Sequence, residues 1–389
     1  MARSIALYSA VDDMLTHYAV DVDSATLVRK ETVRVPAKVQ YAWRHPAKPC
    51  LYVSTSNGGP RVESDYNHVS AFAIGADGAL LPHGESKPLP RRAVHMCVDP
   101  SGRYVLNGHN YPSSGVTVHR VEANGEIGDR VVQATALDYG IYPHQVMVTP
   151  SGRTAVIVDR GNKAQGDKPE EPGALRTFGF EDGQLSAGGV VAPQGGYGFG
   201  PRHIAFHPSK PWLYASDERT NRLYMFRYSE RGIEAAPAFA CPTLRQPELV
   251  RPRQIGGPIH VHPAGHCVYV ANRADHTVAD GEHKVFAGGE NNIAVYGIDP
   301  ETGEPKLLQH VNTQTFHIRT FACDPDGRLL VTASIKALHE RDGDRIRHVP
   351  AALSVFRIQA DGCLEFCRKY DVETSGSQLQ YWMGMVGLD

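Results

Sequence analysis

No run of eighteen apolar residues occurs anywhere in the chain, so nothing in it reads as a membrane span. Charge of one sign is missing as well: 40 Lys and Arg stand against 42 Asp and Glu, for a formal net charge of −2. There is no basic stripe to hold nucleic acid and no acidic tail. The seven cysteines, at 50, 97, 241, 267, 323, 363 and 367, form no C-x-x-C pair. Cys50, Cys97, Cys267 and Cys323 lie in apolar, strand-like runs, where cysteine acts as a small hydrophobe. No G-x-G-x-x-G follows a strand, which argues against a dinucleotide cofactor and hydride transfer. No G-x-S-x-G marks a nucleophile elbow. The 19 histidines include no H-x₃-H with a nearby carboxylate on a helix, so neither a metal nor any other cofactor is predicted. The opening MARSIALYSAVDD has too short an apolar stretch for a signal-peptide core, and the expectation is a cytoplasmic protein.

What the chain does contain is a repeated hairpin. One copy is GPRHIAFHPSKPWLYASDER, starting at Gly200. Others start at Tyr41 (YAWRHPAKPCLYVSTSN), Val94 (VHMCVDPSGRYVLNGHNY), Pro143 (PHQVMVTPSGRTAVIVDRG), Pro258 (PIHVHPAGHCVYVANRA) and Arg319 (RTFACDPDGRLLVTASI). Each is an apolar run, a proline-containing turn and a second β-rich run. The turn prolines Pro46, Pro100, Pro150, Pro208, Pro263 and Pro325 are spaced by 54, 50, 58, 55 and 62 residues. Further segments of period-two alternation, such as RLYMFRYSERGI and LSVFRIQADGCLEFC, follow the hairpins. A unit of four strands at this period is a β-propeller blade. The N-terminal segment supplies three more strands and lacks a leading one, while QLQYWMGMVG near the C-terminus is one extra apolar strand. Together they predict a seventh blade closed by both ends of the chain, which hides the sheet edges. The expected architecture is therefore all-β, a single seven-bladed propeller over residues 1–389 with four-stranded antiparallel blades.

In such a blade the first strand lines the channel, and the start of the first strand lies beside the end of the second, opposite the turn. Six residues before each turn proline stand Gln40, Val94, His144, Arg202, Gly257 and Arg319; ten residues after it stand Ser56, Asn110, Arg160, Glu218, Arg273 and Ile335. The scaffold repeats, but these two phases turn polar and differ from blade to blade, which is what one asymmetric site at a channel mouth requires. His144, Arg202, Glu218 and Arg273 fall in three consecutive repeats and form the candidate catalytic set. Arg160, His203, Asn110, Arg319 and His317 form the candidate substrate-binding set. Histidine suits proton transfer near neutrality. A glutamate in a crowded mouth is expected to have its pKa raised enough to act as an acid or base. Arginines bind carboxylate or phosphate bidentately and steady a developing oxyanion.

The pieces PHQVMVTPSG, GPRHIAFHPS, LYASDE and VYVANR, in this order and spacing, resemble the seven-bladed propeller lactonases. That family includes bacterial propeller-type 6-phosphogluconolactonases and the fungal 3-carboxy-cis,cis-muconate lactonizing enzyme. The resemblance implies a site built from His144 in Pro-His, Arg202 in Gly-Pro-Arg-His, Glu218 in Ser-Asp-Glu and Arg273 in Ala-Asn-Arg. Where the family carries Pro-Arg before its late DPDG turn, this chain has FHIRTFACDPDG, with His317-Ile318 before Arg319.

The leading expectation is an enzyme that opens a small anionic, sugar-type lactone with water, His144 and Glu218 sharing the proton transfers. A cycloisomerase forming a muconolactone-type product from a carboxylated muconate, and a non-catalytic binding platform, are the alternatives. Charged residues at the mouth argue against the platform, which calls for an apolar one. The implied partner is a small anionic lactone or carboxylate, with no nucleic acid and no membrane; a homo-oligomer is compatible with this reading. The segments 161–172, 274–290 and 336–349 are expected to be long loops at the same mouth, acting as a partial lid over it.

Overall fold

The computed structural model describes residues 4–388. Its strands form seven blades around one channel. Blade 1 joins Ser4–Val11, Met14–Asp21 and Thr26–Arg34 to the C-terminal strand Gln380–Leu388. Ser4 pairs with Leu388 and Val11 with Gln380, so the two ends of the chain close the ring as the sequence predicts. Blade 2 begins with Lys38–Arg44 and Cys50–Ser56, blade 3 with Ala93–Val98 and Tyr104–His109, and blade 4 with Pro143–Val148 and Thr154–Asp159. Blade 5 begins with Pro201–Phe206 and Trp212–Asp217, blade 6 with Ile255–Val261 and Cys267–Arg273, and blade 7 with Ile318–Cys323 and Leu329–Ser334. Each innermost strand touches the next around the ring, from Lys38–Arg44 through Ile318–Cys323 to Gln380–Leu388 and back. No α-helix occurs among the described residues; the one helical turn is the 3₁₀ segment Pro193–Gly196.

The core lies between blades rather than inside any one of them. Trp212, Tyr214, Leu223 and Met225 of blade 5 pack on Ile259, Val268, Val270 and Tyr296 of blade 6. Equivalent clusters fill the other six blade interfaces. Strands buried on both faces explain why the second strands read as nearly continuous apolar runs, as in Leu51–Val53 or Val268–Ala271.

Two of the expected loops are not loops. Thr277–Asp280 and His283–Phe286 form a hairpin in the first, and Leu338–Asp342 and Arg345–Val349 form one in the second. Val285 pairs in parallel with His339, joining both hairpins into one extra four-stranded sheet. A small cluster of Phe316, Leu338 and Val349, with Phe286 packed on it, ties this sheet to the start of blade 7. The third segment, 161–172, is also partly ordered, with bridges between Asn162 and Glu171 and between Gln165 and Lys168.

Candidate active site

Six innermost strands break register by one residue near their start, and the closing strand does the same. The residues skipped are Gln40, Val94, His144, Arg202, Gly257 with Pro258, Arg319 and Tyr381. Such a bulge bends the strand and re-aims a side chain. The first phase read from the sequence is therefore a ring of bulges. Its seventh member, Tyr381, escaped the sequence reading because the closing strand has no turn proline after it from which to count.

The second phase is set by buried carboxylates at the ends of second strands. Asp159 accepts hydrogen bonds from the amides of Ile141, Tyr142 and Gly161 at 3.0, 2.8 and 3.2 Å, fixing the turn that carries Arg160. Asp217 accepts from the amides of Gly200, Arg219 and Thr220 at 2.6, 2.8 and 2.8 Å, fixing the turn that carries Glu218. The Glu218 amide donates to the Gly200 carbonyl at 2.9 Å, and its carbonyl accepts from Gly256 at 3.1 Å. Blade 6 comes so close here that a Cβ on Gly256 would stand 2.3 Å from the Asp217 carbonyl oxygen.

Glu218 is the hub. One carboxylate oxygen accepts from Arg160 Nη1 at 2.8 Å; the other lies 2.9 Å from Arg273 Nη2 and 3.1 Å from Arg202 Nε. Burial alone raises the Glu218 carboxyl, but the three guanidiniums win and hold it at about 2. This reverses the expectation of a raised carboxyl: the sequence placed Glu218 in a crowded mouth, and the structure crowds it with cations. Arg160 also stacks on Tyr142, 4.3 Å from its ring centroid. Arg273 is fully engaged, with Nε on the Gly256 carbonyl at 3.1 Å and Nη1 on His317 Nε2 at 3.2 Å. His317, whose amide is held by Asn291 Oδ1 at 2.7 Å, faces Asp275 through its other ring nitrogen at 3.5 Å. Burial pushes the His317 imidazole down to about 4, despite Asp275.

Arg202 is the largest fully buried side chain of the described residues. Its Nη1 meets His203 Nδ1 at 3.1 Å, while Nη2 is buried with no hydrogen-bond partner. Burial, then the charges of Arg273 and Arg319, push it well below the ordinary guanidinium range. A guanidinium does not give up its proton in a protein, so this crowding of cations favours an added anion. The rings of His144 and His95 stand 5.2 and 5.5 Å from the His203 ring. Burial among arginines drives all three imidazoles well below their ordinary range, so they are neutral at pH 7. His144 Nδ1 is buried and unpartnered.

Arg319 lies over the ring of Tyr381, 4.4 Å from its centroid, and makes no ion pair with a carboxylate among the described residues. Arg92, just before blade 3, donates from Nη2 to the Tyr381 hydroxyl at 2.9 Å and from Nε to Gln40 Oε1 at 2.6 Å. Its Nη1 is buried without a partner. The sequence reading missed Arg92 along with Tyr381, because Arg92 precedes the repeat phases. Asn110 alone among the candidates stands apart. It lines a cleft of about 570 Å³ with Arg61, Tyr142, Lys163 and Lys168.

Known proteins resemble this chain along most of its length. The family described as "Lactonase, 7-bladed beta-propeller" matches residues 5–339. A 6-phosphogluconolactonase of Bacillus subtilis is 29% identical over 276 residues, 67% of this chain and 70% of its own. A 6-phosphogluconolactonase of Erwinia tasmaniensis is 25% identical over 352 residues, 90% of either chain. In structure, the periplasmic gluconolactonase of Pseudomonas aeruginosa superimposes with a TM-score of 0.75 at 17% identity, covering 99% of this chain and 100% of that one, a likeness of fold. The chain belongs to the seven-bladed β-propeller lactonase family.

Proposed function

We propose that the protein hydrolyses a small anionic lactone of the 6-phosphogluconolactone kind, and that the whole chain works as one domain. The observation that carries this reading is the charge imbalance at the mouth. Arg92, Arg160, Arg202, Arg273 and Arg319 gather there, and the hub carboxylate Glu218 is shared by three of them. The cations left over suit a substrate bearing phosphate or carboxylate. The relatives above are named for acting on lactones, which supports hydrolysis over lactone formation.

In this reading Arg202 and Arg319 bind the anionic group and steady the oxyanion as water adds to the acyl carbon. Glu218 acts as a positioning residue: held ionised, it aims Arg160, Arg202 and Arg273. His144, neutral and with a free ring nitrogen, orients the attacking water. Seven free cysteines suit a reducing compartment such as the cytoplasm.

The test is a panel of phosphorylated and unphosphorylated sugar lactones and carboxylated muconates, followed by acid release and ultraviolet absorbance. Phosphorylated lactones are expected to be opened fastest, and Glu218→Gln to lower kcat/KM by at least about 10²-fold, the scale of a lost electrostatic contact to the transition state. Turnover of muconates with no lactone opened would sink the reading.

A further inference from the structure

Lactone opening needs a group to take a proton from water, and the hub does not supply a good one. Glu218 is saturated by three guanidiniums. His95, His144 and His203 lie among arginines, where an imidazolium would add another cation. Tyr381 has the opposite setting. It occupies the seventh bulge position, the phase that carries His144, Arg202 and Arg319 in blades 4, 5 and 7. Its hydroxyl oxygen accepts a hydrogen bond from Arg92, and Arg319 covers its ring. The charged groups that act on it most strongly are cations: Arg319 from blade 7, Arg92 ahead of blade 3 and Arg202 from blade 5, with Arg273 of blade 6 also acting on it.

The contrast with four fully buried tyrosines is sharp. Tyr8, Tyr52, Tyr214 and Tyr269 each donate their hydroxyl to a glycine carbonyl of a neighbouring turn, at 2.7, 2.9, 2.8 and 3.0 Å. Burial pushes all four upward. Burial also raises the Tyr381 hydroxyl, but Arg319 and Arg92 overcome it and bring it down to about 7.

We propose that Tyr381 is a catalytic residue of the mouth: its phenolate takes a proton from the attacking water and returns it to the departing ring oxygen. This rests on the lactone-hydrolysis reading. The water oxygen bonds to the acyl carbon as its proton passes to the phenolate, leaving a tetrahedral oxyanion. As that collapses, the bond from the acyl carbon to the ring oxygen breaks. The departing oxygen takes the proton back from the phenol, which regenerates the phenolate. The product is the hydroxy acid, which ionises in water, and nothing is oxidised or reduced.

The experiment has two arms on the full chain. The first is a spectroscopic titration of wild type minus Tyr381→Phe, read by the ultraviolet band of tyrosinate and independent of any substrate. One phenolate is expected, with a midpoint at about 7. A difference band that rises only near pH ~10, the ordinary tyrosine range, overturns the proposal. The second arm is kinetics on the best lactone of the panel. For Y381F, kcat is expected to fall by about 10²-fold or more, the scale for a general base, with KM changed far less. The wild-type rise of kcat/KM through neutral pH is expected to vanish with it. If Y381F does not fold, Arg319→Gln carries the test: titration and kinetic rise are expected to move together to higher pH, and unmoved ones overturn the proposal. An active wild type with an equally active Y381F overturns the base role alone. A wild type inert on every lactone overturns the hydrolysis reading and the base role together.

Discussion

The two ends of the blade hairpins use the same residue types for opposite purposes. At the turn end, His45, His207 and His262 stand just before a turn proline. Each places Nε2 at 3.0, 2.8 or 2.9 Å from the carbonyl of Gly102, Gly265 or Gly327 in the next blade, while Nδ1 accepts amides of its own turn. The fit is close: Gly265 has φ +82°, and a Cβ there would meet the His207 ring at 2.6 Å. At the mouth end, His144 has a buried nitrogen with no partner and His203 faces a guanidinium. Among the tyrosines, Tyr8, Tyr52, Tyr214 and Tyr269 donate to turn carbonyls, while at the mouth Arg92 donates to the Tyr381 hydroxyl and Arg319 covers its ring. A histidine or tyrosine that recurs with the repeat holds blades together. One that breaks the repeat stands where polar groups are left for a ligand.

The widest separation between the two ends is expected from a pair of variants. His144→Ala is predicted to lower lactone turnover by about 10²-fold, the usual scale for losing a group that handles a proton or its water. Its melting temperature should stay close to the parent's, since the ring nitrogen it loses bonds nothing. His207→Ala is predicted to do the reverse. It leaves the Gly265 carbonyl and two turn amides without their partner, a cost of about 1–3 kcal/mol, with turnover of the folded protein kept. Thermal melts and initial rates on both proteins check this. Equal losses of activity in the two would erase the distinction.

A smaller effect is expected where the scaffold and the site meet. Gly256→Ala puts a methyl group against the Asp217 carbonyl, so blade 6 must move away from the strand end that carries Glu218. Small misplacements of catalytic groups are costly, and kcat/KM is predicted to fall about tenfold. Gly265→Ala, at the turn end, is predicted to lower the melting temperature and leave kcat/KM alone.

The turn end was legible in the sequence because it repeats. Proline, glycine and small polar residues recur every 50 to 62 positions, and the blades and their closure follow from that spacing. The mouth was legible as two phases and no further. That His144, Arg202 and Arg319 share a phase could be counted; that the phase is a bulge could not, since the extra residue shows only in the pairing of neighbouring strands. The state of Glu218 was misread because its partners come from blades 4, 5 and 6, and their number is a three-dimensional fact. Tyr381 was hidden by the break in the repeat where the chain ends meet. The extra sheet was hidden because its two hairpins are far apart in sequence and join through the single register pair Val285 and His339.

Acid acts on the mouth with a known sign. His95, His144 and His203 are held below their ordinary range when folded. The unfolded chain therefore takes up protons below pH ~6.5 that the folded mouth refuses, and stability falls as pH drops. Each such imidazole contributes a slope of up to about 1.4 kcal/mol per pH unit. Glu218, lowered to about 2, adds stability that is complete above its unfolded range and is lost only as pH falls toward that value. Denaturant titrations between neutral pH and the carboxylate range are predicted to show a shallower slope for His144→Ala than for the parent. An unchanged slope would mean that the His144 ring is not held neutral.

The smallest effect expected comes from inorganic phosphate. An anion that binds the folded mouth raises stability by mass action, by about 2.7 kcal/mol when its concentration is a hundredfold above Kd. In a chain of 389 residues that is a rise of a few degrees in Tm. Phosphate also stabilises proteins generally by exclusion from their surface, so a rise in the parent alone decides nothing. The comparison of variants decides it. Arg202→Lys keeps a cation but loses the planar fork whose Nη2 stands buried and unpartnered, and it is predicted to lose most of the phosphate-dependent rise. His207→Ala, at a position also buried but at the turn end, should start from a lower Tm and gain as much as the parent. If Arg202→Lys gains as much as the others, the phosphate acts on the surface and the arginines of the mouth do not form its site.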